Sequence, residues 1–92
     1  MAKQRARLNI MGKVQGVGFR ANTRSQARKL GLTGWVRNLS DGSVEVVAEG
    51  EKEDIDSLIS WARKGPRLAD VKNVEIERDE YRDEFGVFSV RY

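Results

Sequence analysis

A β-hairpin is predicted by residues 34–48, Gly34-Trp35-Val36-Arg37-Asn38-Leu39-Ser40-Asp41-Gly42-Ser43-Val44-Glu45-Val46-Val47-Ala48. The first five residues are typical of a strand, and Val44, Val46 and Ala48 occupy the alternate positions of a second strand with one buried face. Between the two strands, Asp41-Gly42 is a strong turn signal. This hairpin is the strongest indication of the fold class, because it places two antiparallel strands where a dinucleotide-binding fold would need a parallel crossover.

On the N-terminal side of the hairpin, a strand is predicted over roughly residues 5–14, where Leu8 and Ile10 occupy alternate positions. A glycine-rich turn follows, and then a helix that ends at Gly31. The apolar stripe of this helix consists of Phe19, Thr23, Ala27 and Leu30.

On the C-terminal side, spacings of three and four residues predict a second helix, which stops before Gly65-Pro66. Its buried stripe consists of Ile55, Leu58, Ile59 and Ala62. Val71, Val74 and Ile76 indicate a fourth strand, and Phe88, Val90 and Tyr92 indicate a short last strand. The order βαββαβ predicts an α+β, ferredoxin-like domain over residues 1–92: an antiparallel sheet, two helices on one face and an extra C-terminal strand.

Composition excludes several kinds of chemistry. The chain has 92 residues, a formal net charge of +3, and neither cysteine nor histidine. Thiol nucleophiles, histidine bases, disulfides and the usual zinc and copper sites are therefore excluded, and we expect no metal and no cofactor. No apolar run approaches the roughly 18 residues of a membrane span, and no apolar segment follows the basic N-terminus. We therefore expect a cytoplasmic protein that does not bind membranes.

The turn between the first strand and the first helix is a candidate anion site. Gly16 and Gly18 allow a tight turn that brings successive backbone N–H groups together at a helix N-terminus, and Arg20 follows. An arginine there opposes the helix macrodipole, which favours an anionic partner over a merely exposed cation. The same glycines, with Ala21, also fit a dinucleotide fingerprint, but that fold requires a far longer series of alternating strands and helices. A glycine turn without a ligand is the remaining alternative.

Two longer patterns carry more information than the glycines. The string Ile10-x-Gly12-x-Val14-Gln15-Gly16-Val17-x-Phe19-Arg20 resembles the first signature of the acylphosphatase family. The string Gly34-Trp35-Val36-Arg37-Asn38-x-x-x-Gly42-x-Val44, continuing to Gly50, resembles the second. The resemblance covers essentially the whole chain. It implies an enzyme that hydrolyses the carboxyl–phosphate bond of small acyl phosphates without a metal.

The resemblance also assigns roles to individual residues. It implies that Arg20 binds the substrate phosphate and that Asn38 positions the attacking water, so these two are the predicted catalytic residues. Thr23 is a candidate support for the site, although it also fits a packing role. Ser40 stands where proline is frequent in the family, outside the residues assigned to chemistry. The predicted substrate-binding loop consists of Gln15, Gly16, Val17, Gly18, Phe19 and Arg20.

The residue chemistry is compatible with this assignment. A carboxylate is a good leaving group, so the reaction needs charge stabilisation on the phosphoryl oxygens and an aligned water more than a strong acid. Arg20 and the loop amides would supply the first, and Asn38 the second. Asparagine is not a useful base, so we expect the proton of the water to pass to the substrate phosphate. Asn38 as a simple turn residue before Asp41-Gly42 is the alternative.

The sequence pattern is also compatible with two other functions. RNA-recognition domains share the βαββαβ order, but they need aromatic side chains on adjacent central strands, and the strand from Leu8 to Met11 has none. We therefore expect no nucleic-acid partner. Acylphosphatase-like units also occur within larger carbamoyl-transfer maturation proteins, but the lack of a linker favours a free-standing enzyme. Nothing in the sequence indicates an obligate oligomer, and we expect a monomer.

Overall fold

The computed structural model describes residues 2–92 as five strands and two helices. In chain order these are β1 (Lys3–Lys13), α1 (Phe19–Lys29), β2 (Thr33–Asn38), β3 (Val44–Glu51), α2 (Lys52–Lys64), β4 (Asp70–Glu80) and β5 (Phe88–Val90). The predicted order βαββαβ and the extra C-terminal strand are confirmed. The predicted elements agree within a few residues, except that β4 extends four residues beyond Ile76 and takes in Asp79 and Glu80.

The strands form one sheet in the order β4-β1-β3-β2-β5. The first four strands pair antiparallel, and the predicted hairpin joins β2 to β3 with Asn38 opposite Val44. In contrast, β5 pairs parallel to β2, with Trp35 opposite Ser89. The sheet is therefore mixed, and the expectation of an antiparallel sheet holds for its first four strands only.

The core lies between the helices and one face of the sheet. The central strands contribute Leu8, Ile10, Val36 and Val44, and α2 contributes the four residues of its predicted stripe, all of them buried. Burying a side chain of this size stabilises a fold by roughly 1.5–3 kcal/mol. Phe19, the first residue of α1, packs its ring 5.4 Å from the ring of Trp61 in α2. This contact holds the start of α1, and therefore the glycine loop before it, against the second helix.

The opposite face of the sheet is covered by long polar side chains. Strand β3 is buried at every position from Val44 to Glu49, although its sequence alternates. Glu45 is buried because Arg7 and Arg37 lie over it, with N–O distances of 2.6 and 2.7 Å. The side-chain heads of the two arginines meet the carboxylate while their apolar stems cover the strand, a common way of burying a charged pair.

The segment between β4 and β5 is anchored by the carboxylate of Glu49. Glu49 is 1% exposed and accepts hydrogen bonds from the backbone N–H groups of Arg82 (2.7 Å) and Glu84 (2.9 Å). The charge-rich segment after β4 is thus anchored to β3, the middle strand of the sheet. It carries the chain across the end of β3 to β2, where β5 starts parallel to its neighbour. No helix within residues 2–92 is long and apolar enough to cross a membrane.

Candidate active site

A cleft of about 160 Å³ opens where β1 ends and α1 begins. The loop from Lys13 to α1 forms one wall, the last residue of β2 another, and β5 with the residues after it a third. The lining residues are Val14, Gly16, Gly18, Phe19, Arg20, Ala21, Arg24, Asn38, Val90 and Tyr92. The two predicted catalytic residues, Arg20 and Asn38, therefore lie in one cleft.

The loop beside this cleft carries backbone N–H groups that have no hydrogen-bond partner in the described part of the chain. None of the six N–H groups from Gln15 to Arg20 donates a hydrogen bond to an acceptor in residues 2–92. Gly16 and Gly18 have φ angles of +74° and +78°, the left-handed region that L side chains adopt at a cost, and Gly18 is the N-cap of α1. Alternating such residues with ordinary ones turns successive amides to the same side, which creates a concave anion site. The first turn of α1 adds its own unpaired amides and the positive end of its dipole.

Arg20 supplies a full positive charge beside these amides. It is half-buried, and it forms no ion pair with any residue from 2 to 92. Its guanidinium carbon lies 4.8 Å from the centre of the Tyr92 ring, a cation–π contact that restrains the long side chain. The guanidinium thus lies against an aromatic ring, and its N–H groups donate no hydrogen bond within residues 2–92 and stay free for a ligand.

Asn38 is the last residue of β2, so its backbone is fixed by the hairpin ladder. Its side-chain oxygen, Oδ1, is buried and is the only buried side-chain nitrogen or oxygen in the described part of the chain without a hydrogen-bond partner. A buried acceptor without a partner costs roughly 1–3 kcal/mol, so such an atom needs an explanation. A donor molecule bound in the cleft would satisfy it.

Gln15 connects the two parts of the site. Its side-chain nitrogen Nε2 donates to the backbone carbonyls of Leu39 (2.8 Å) and Ser43 (2.9 Å). These residues close the turn after Asn38, where the N–H of Leu39 also donates to the carbonyl of Ser43. The side chain of Gln15 does not line the cleft, so its contribution beyond the backbone N–H is to tie the loop to the β2–β3 turn.

The other predicted site residues take supporting positions. Thr23 is 1% exposed, lies outside the cleft lining, and donates from Oγ1 to the carbonyl of Phe19 at 2.8 Å. Its hydroxyl therefore bonds to the first turn of α1. Val17 packs against the core with its side chain, and Phe19 is 2% exposed. Of the loop predicted to bind substrate, only Gly16, Gly18, Phe19 and Arg20 line the cleft.

No aspartate or glutamate side chain lines the cleft, and the two carboxylates nearest in sequence to Asn38, those of Asp41 and Glu45, are engaged elsewhere. Asp41 accepts hydrogen bonds from the hydroxyl and the N–H of Ser43, which lower its pKa. Burial raises the pKa of Glu45, but the hydrogen bonds and charges of Arg37 and Arg7 outweigh burial and leave that pKa below its ordinary value. Both groups are ionised at neutral pH and unsuited to act as general acids. Residues 2–92 contain no group of three or more acidic side chains placed to hold a metal ion.

Five lining residues were missed from the sequence: Val14, Ala21, Arg24, Val90 and Tyr92. Ala21 and Arg24 follow Arg20 on α1, and the i, i+4 spacing of the two arginines was an available signal. No sequence signal placed Val90 and Tyr92 at the site, because they reach the cleft only through the parallel pairing of β5 with β2.

The comparisons with known proteins agree with this geometry. The sequence profile of the acylphosphatase family matches residues 6–90. The chain belongs to the acylphosphatase family. An acylphosphatase of Pelotomaculum thermopropionicum is 47% identical over 92 residues and aligned along the full length of both chains. The structure of an acylphosphatase from Coxiella burnetii superposes with a TM-score of 0.92 at 43% identity, covering 98% of this chain and 94% of the other.

A larger protein contains a similar unit. Full-length HypF, solved in a phosphate- and nucleotide-bound form, superposes with a TM-score of 0.86 at 29% identity, covering 98% of this chain and 12% of HypF. The relative from Pelotomaculum matches this chain end to end instead. The comparisons support the predicted family and activity: the protein is an acylphosphatase, a hydrolase of acyl phosphates.

Proposed function

We propose that the amides of residues 15–20 and Arg20 bind the phosphate of a small acyl phosphate, and that Asn38 positions the attacking water. The observation that carries this proposal is the buried, unpartnered Oδ1 of Asn38, which shares one cleft with Arg20. A phosphate seated on the loop amides would be within reach of both side chains. The water would donate one hydrogen bond to Oδ1 and direct its oxygen at phosphorus.

The reaction forms one bond and breaks one. The water oxygen bonds to phosphorus while the bond from phosphorus to the bridging oxygen of the acyl group breaks, and the acyl group leaves as a carboxylate. One proton of the water passes to a phosphate oxygen, so the products are a carboxylate and inorganic phosphate. Arg20 and the loop amides stabilise the negative charge on the equatorial oxygens, where fixed donors act without reorganising.

The lining of the cleft supports a substrate-assisted proton transfer. No aspartate or glutamate side chain lines it, and the carboxylates of Asp41 and Glu45 lie outside the lining and are bonded to other groups, which makes them weak bases. The rate should therefore follow the ionisation of the substrate phosphate. A pH–rate profile that shifted in Asp41→Asn or Glu45→Gln would assign the proton to a protein carboxylate and refute this step.

The decisive experiment is hydrolysis of benzoyl phosphate with a metal chelator present. We expect chelator-resistant turnover, with kcat/KM lowered about 10²–10³-fold in Arg20→Ala, the loss typical of one preorganised donor. In Asn38→Ala we expect a loss of about 10²-fold, because the attacking water is no longer aligned. Inorganic phosphate as a competitive inhibitor separates the two roles. Its inhibition constant should rise at least tenfold in Arg20→Ala and stay within about threefold in Asn38→Ala.

Two matched variants control for general effects of the substitutions. Arg63→Ala removes an exposed arginine from α2, and Asn73→Ala removes an exposed asparagine from β4. Both should keep wild-type activity. The proposed roles are wrong if Arg20→Ala and Asn38→Ala remain as active as these controls.

We further infer that the enzyme acts as a monomer in the cytoplasm without a nucleic-acid partner. Scattered large apolar side chains are common on monomers, and the exposed ones within residues 2–92 are three: Leu68, Val87 and Tyr92. Sedimentation velocity should give a single species near 10.4 kDa. A dimer, or a salt-dependent affinity for RNA in the micromolar range, would contradict this inference.

A further inference from the structure

Arg24 is a second cation in the active-site cleft, and the proposed reaction gives it no role. It lies one helical turn after Arg20 on α1 and lines the same cleft. Its side chain is exposed and forms no ion pair with any residue from 2 to 92. The next arginine along this line, Arg28, differs, because its Nε donates to the carbonyl of Phe88 at 3.1 Å.

The placement of Arg24 is unfavourable for the helix alone. Like charges at i and i+4 repel each other, and cations near a helix N-terminus oppose its dipole. The first turn of α1 holds no acidic residue that would offset either effect. Among its side chains the cleft lining therefore carries two arginines and no aspartate or glutamate, one cationic side chain more than the phosphate-binding role of Arg20 explains.

We propose that Arg24 is a specificity-determining residue that binds a second anionic group on the acyl part of the substrate. This inference rests on the proposed function, which places the phosphate on the loop amides and Arg20. The preferred substrates are then acyl phosphates whose acyl group ends in a carboxylate or a second phosphate. Neutral acyl phosphates are also substrates, but they leave Arg24 without a partner.

The geometry separates the two anionic groups of such a substrate. The phosphate faces the N-terminal amides of α1, whereas Arg24 is one turn further along the helix. Side chains four residues apart on a helix have their Cβ atoms roughly 5–6 Å apart, a distance that a short acyl chain or an aromatic ring would bridge. Val14 and Val90 line the same cleft and supply apolar surface for the carbon skeleton.

The test compares two substrates of nearly equal shape. 3-Carboxybenzoyl phosphate carries a second anionic group, and 3-carbamoylbenzoyl phosphate is its neutral counterpart; neither cyclises. The measured quantity is the kcat/KM for the first divided by that for the second. It is determined for the full chain in its wild-type form and as Arg24→Gln, Arg24→Lys, Arg24→Glu and the control Arg63→Gln, an exposed arginine on α2.

We expect the ratio to fall about three- to tenfold in Arg24→Gln, the range for a partly exposed charge pair with a hydrogen bond. It should fall further in Arg24→Glu, return most of the way in Arg24→Lys and stay at the wild-type value in Arg63→Gln. Added salt should lower the wild-type ratio, because an exposed charge pair is screened.

Two results would overturn the inference, and they are distinguishable. If the wild type hydrolyses benzoyl phosphate but the ratio is the same in Arg24→Gln and Arg63→Gln, the role of Arg24 is wrong and the proposed function stands. If the wild type hydrolyses none of the three aryl substrates, the proposed function fails and the inference fails with it.

Discussion

The side-chain amide of Gln15 donates a 2.8 Å hydrogen bond to the backbone carbonyl of Leu39, the residue directly after Asn38. The bond spans 24 residues of sequence and joins the proposed phosphate loop to the strand that carries the proposed water-binding side chain. A second bond from the same nitrogen reaches Ser43 across the turn. The distance between the proposed phosphate site and the proposed water site therefore depends on a residue whose side chain lies outside the cleft lining.

Removing this link should slow catalysis more than it weakens phosphate binding. In Gln15→Met, which keeps the length of the side chain, we expect kcat to fall about tenfold, because a small misplacement of the water is costly. The inhibition constant of phosphate should change less than threefold, since the loop amides remain. Steady-state kinetics with benzoyl phosphate measures both quantities.

Gln26→Met is the matched control for this change. Gln26 is a half-buried glutamine of α1 outside the cleft lining. Its kinetics should equal those of the wild type. A tenfold rise in the phosphate inhibition constant of Gln15→Met would assign Gln15 to binding and contradict a positioning role.

A substitution at Gly16 tests anion binding by the amides of residues 15–20 without introducing a steric clash. A Cβ added at Gly16 would meet nothing within 4 Å, and the same is true at Gly31, which follows α1. Both have similar left-handed φ angles, +74° and +71°. Gly16→Ala and Gly31→Ala should therefore lower the free energy of unfolding by similar amounts, about 1–2 kcal/mol.

Of these two substitutions, only Gly16→Ala should lower the affinity for phosphate. An alanine at position 16 favours a negative φ angle, and a change in this angle rotates the loop amides away from the anion. Isothermal titration with inorganic phosphate is the measurement, with denaturant unfolding as the stability reference. Equal phosphate affinities in the two variants would show that the loop amides do not bind the anion.

Thr23 should matter for stability more than for turnover. Thr23→Val keeps the buried shape but removes the bond from Oγ1 to the carbonyl of Phe19. We expect the free energy of unfolding to fall by about 1 kcal/mol and kcat to change less than threefold. Ser57→Ala, which removes the same kind of bond to Glu53 on the exposed side of α2, should cost less. A loss of kcat beyond tenfold in Thr23→Val would instead make Thr23 part of the site.

Glu45 should make stability depend on pH in the acid range. Its folded pKa lies below the ordinary value of 4.5, since Arg37 and Arg7 hold the carboxylate ionised against the effect of burial. The contribution of Glu45 to the free energy of unfolding is therefore fully present above about pH 4.5. It is lost as the pH falls through the pKa that Glu45 has in the folded protein. We expect Glu45→Gln to lower the free energy of unfolding at pH 7 by about 2 kcal/mol, discounted because both arginines are partly exposed.

Urea unfolding at pH 3 and pH 7 measures this dependence. The difference between wild type and Glu45→Gln should shrink at pH 3. Glu77→Gln is the control, because Glu77 also accepts a bond from Arg7 but is exposed, and it should change stability by less than 1 kcal/mol. If the free energies of unfolding of wild type and Glu45→Gln differed by the same amount at pH 3 and pH 7, the lowered pKa of Glu45 would not contribute to stability, which would contradict this prediction.

Local sequence patterns were sufficient for the elements of the fold. The spacing of Ile55, Leu58, Ile59 and Ala62 identified α2, and Asp41-Gly42 identified the hairpin, because helix periodicity and turn chemistry act between near neighbours. The same patterns were misleading for β3, where Glu45 and Glu49 look like solvent-facing positions. Both are buried, since partners from β1, β2 and the segment after β4 cover them.

Contiguous residues were sufficient to predict the βαββαβ order, the glycine loop ahead of α1 and the family. They also predicted Arg20 and Asn38 as site residues, which the structure brings into one cleft. The surroundings of these two residues follow from tertiary contacts instead: the link from Gln15 to Leu39, the free guanidinium of Arg24, and Tyr92 beside Arg20. Distance along the chain explains the difference. Contacts between segments tens of residues apart depend on the register of the sheet and on the parallel return of β5 to β2, and neither leaves a local pattern in the sequence.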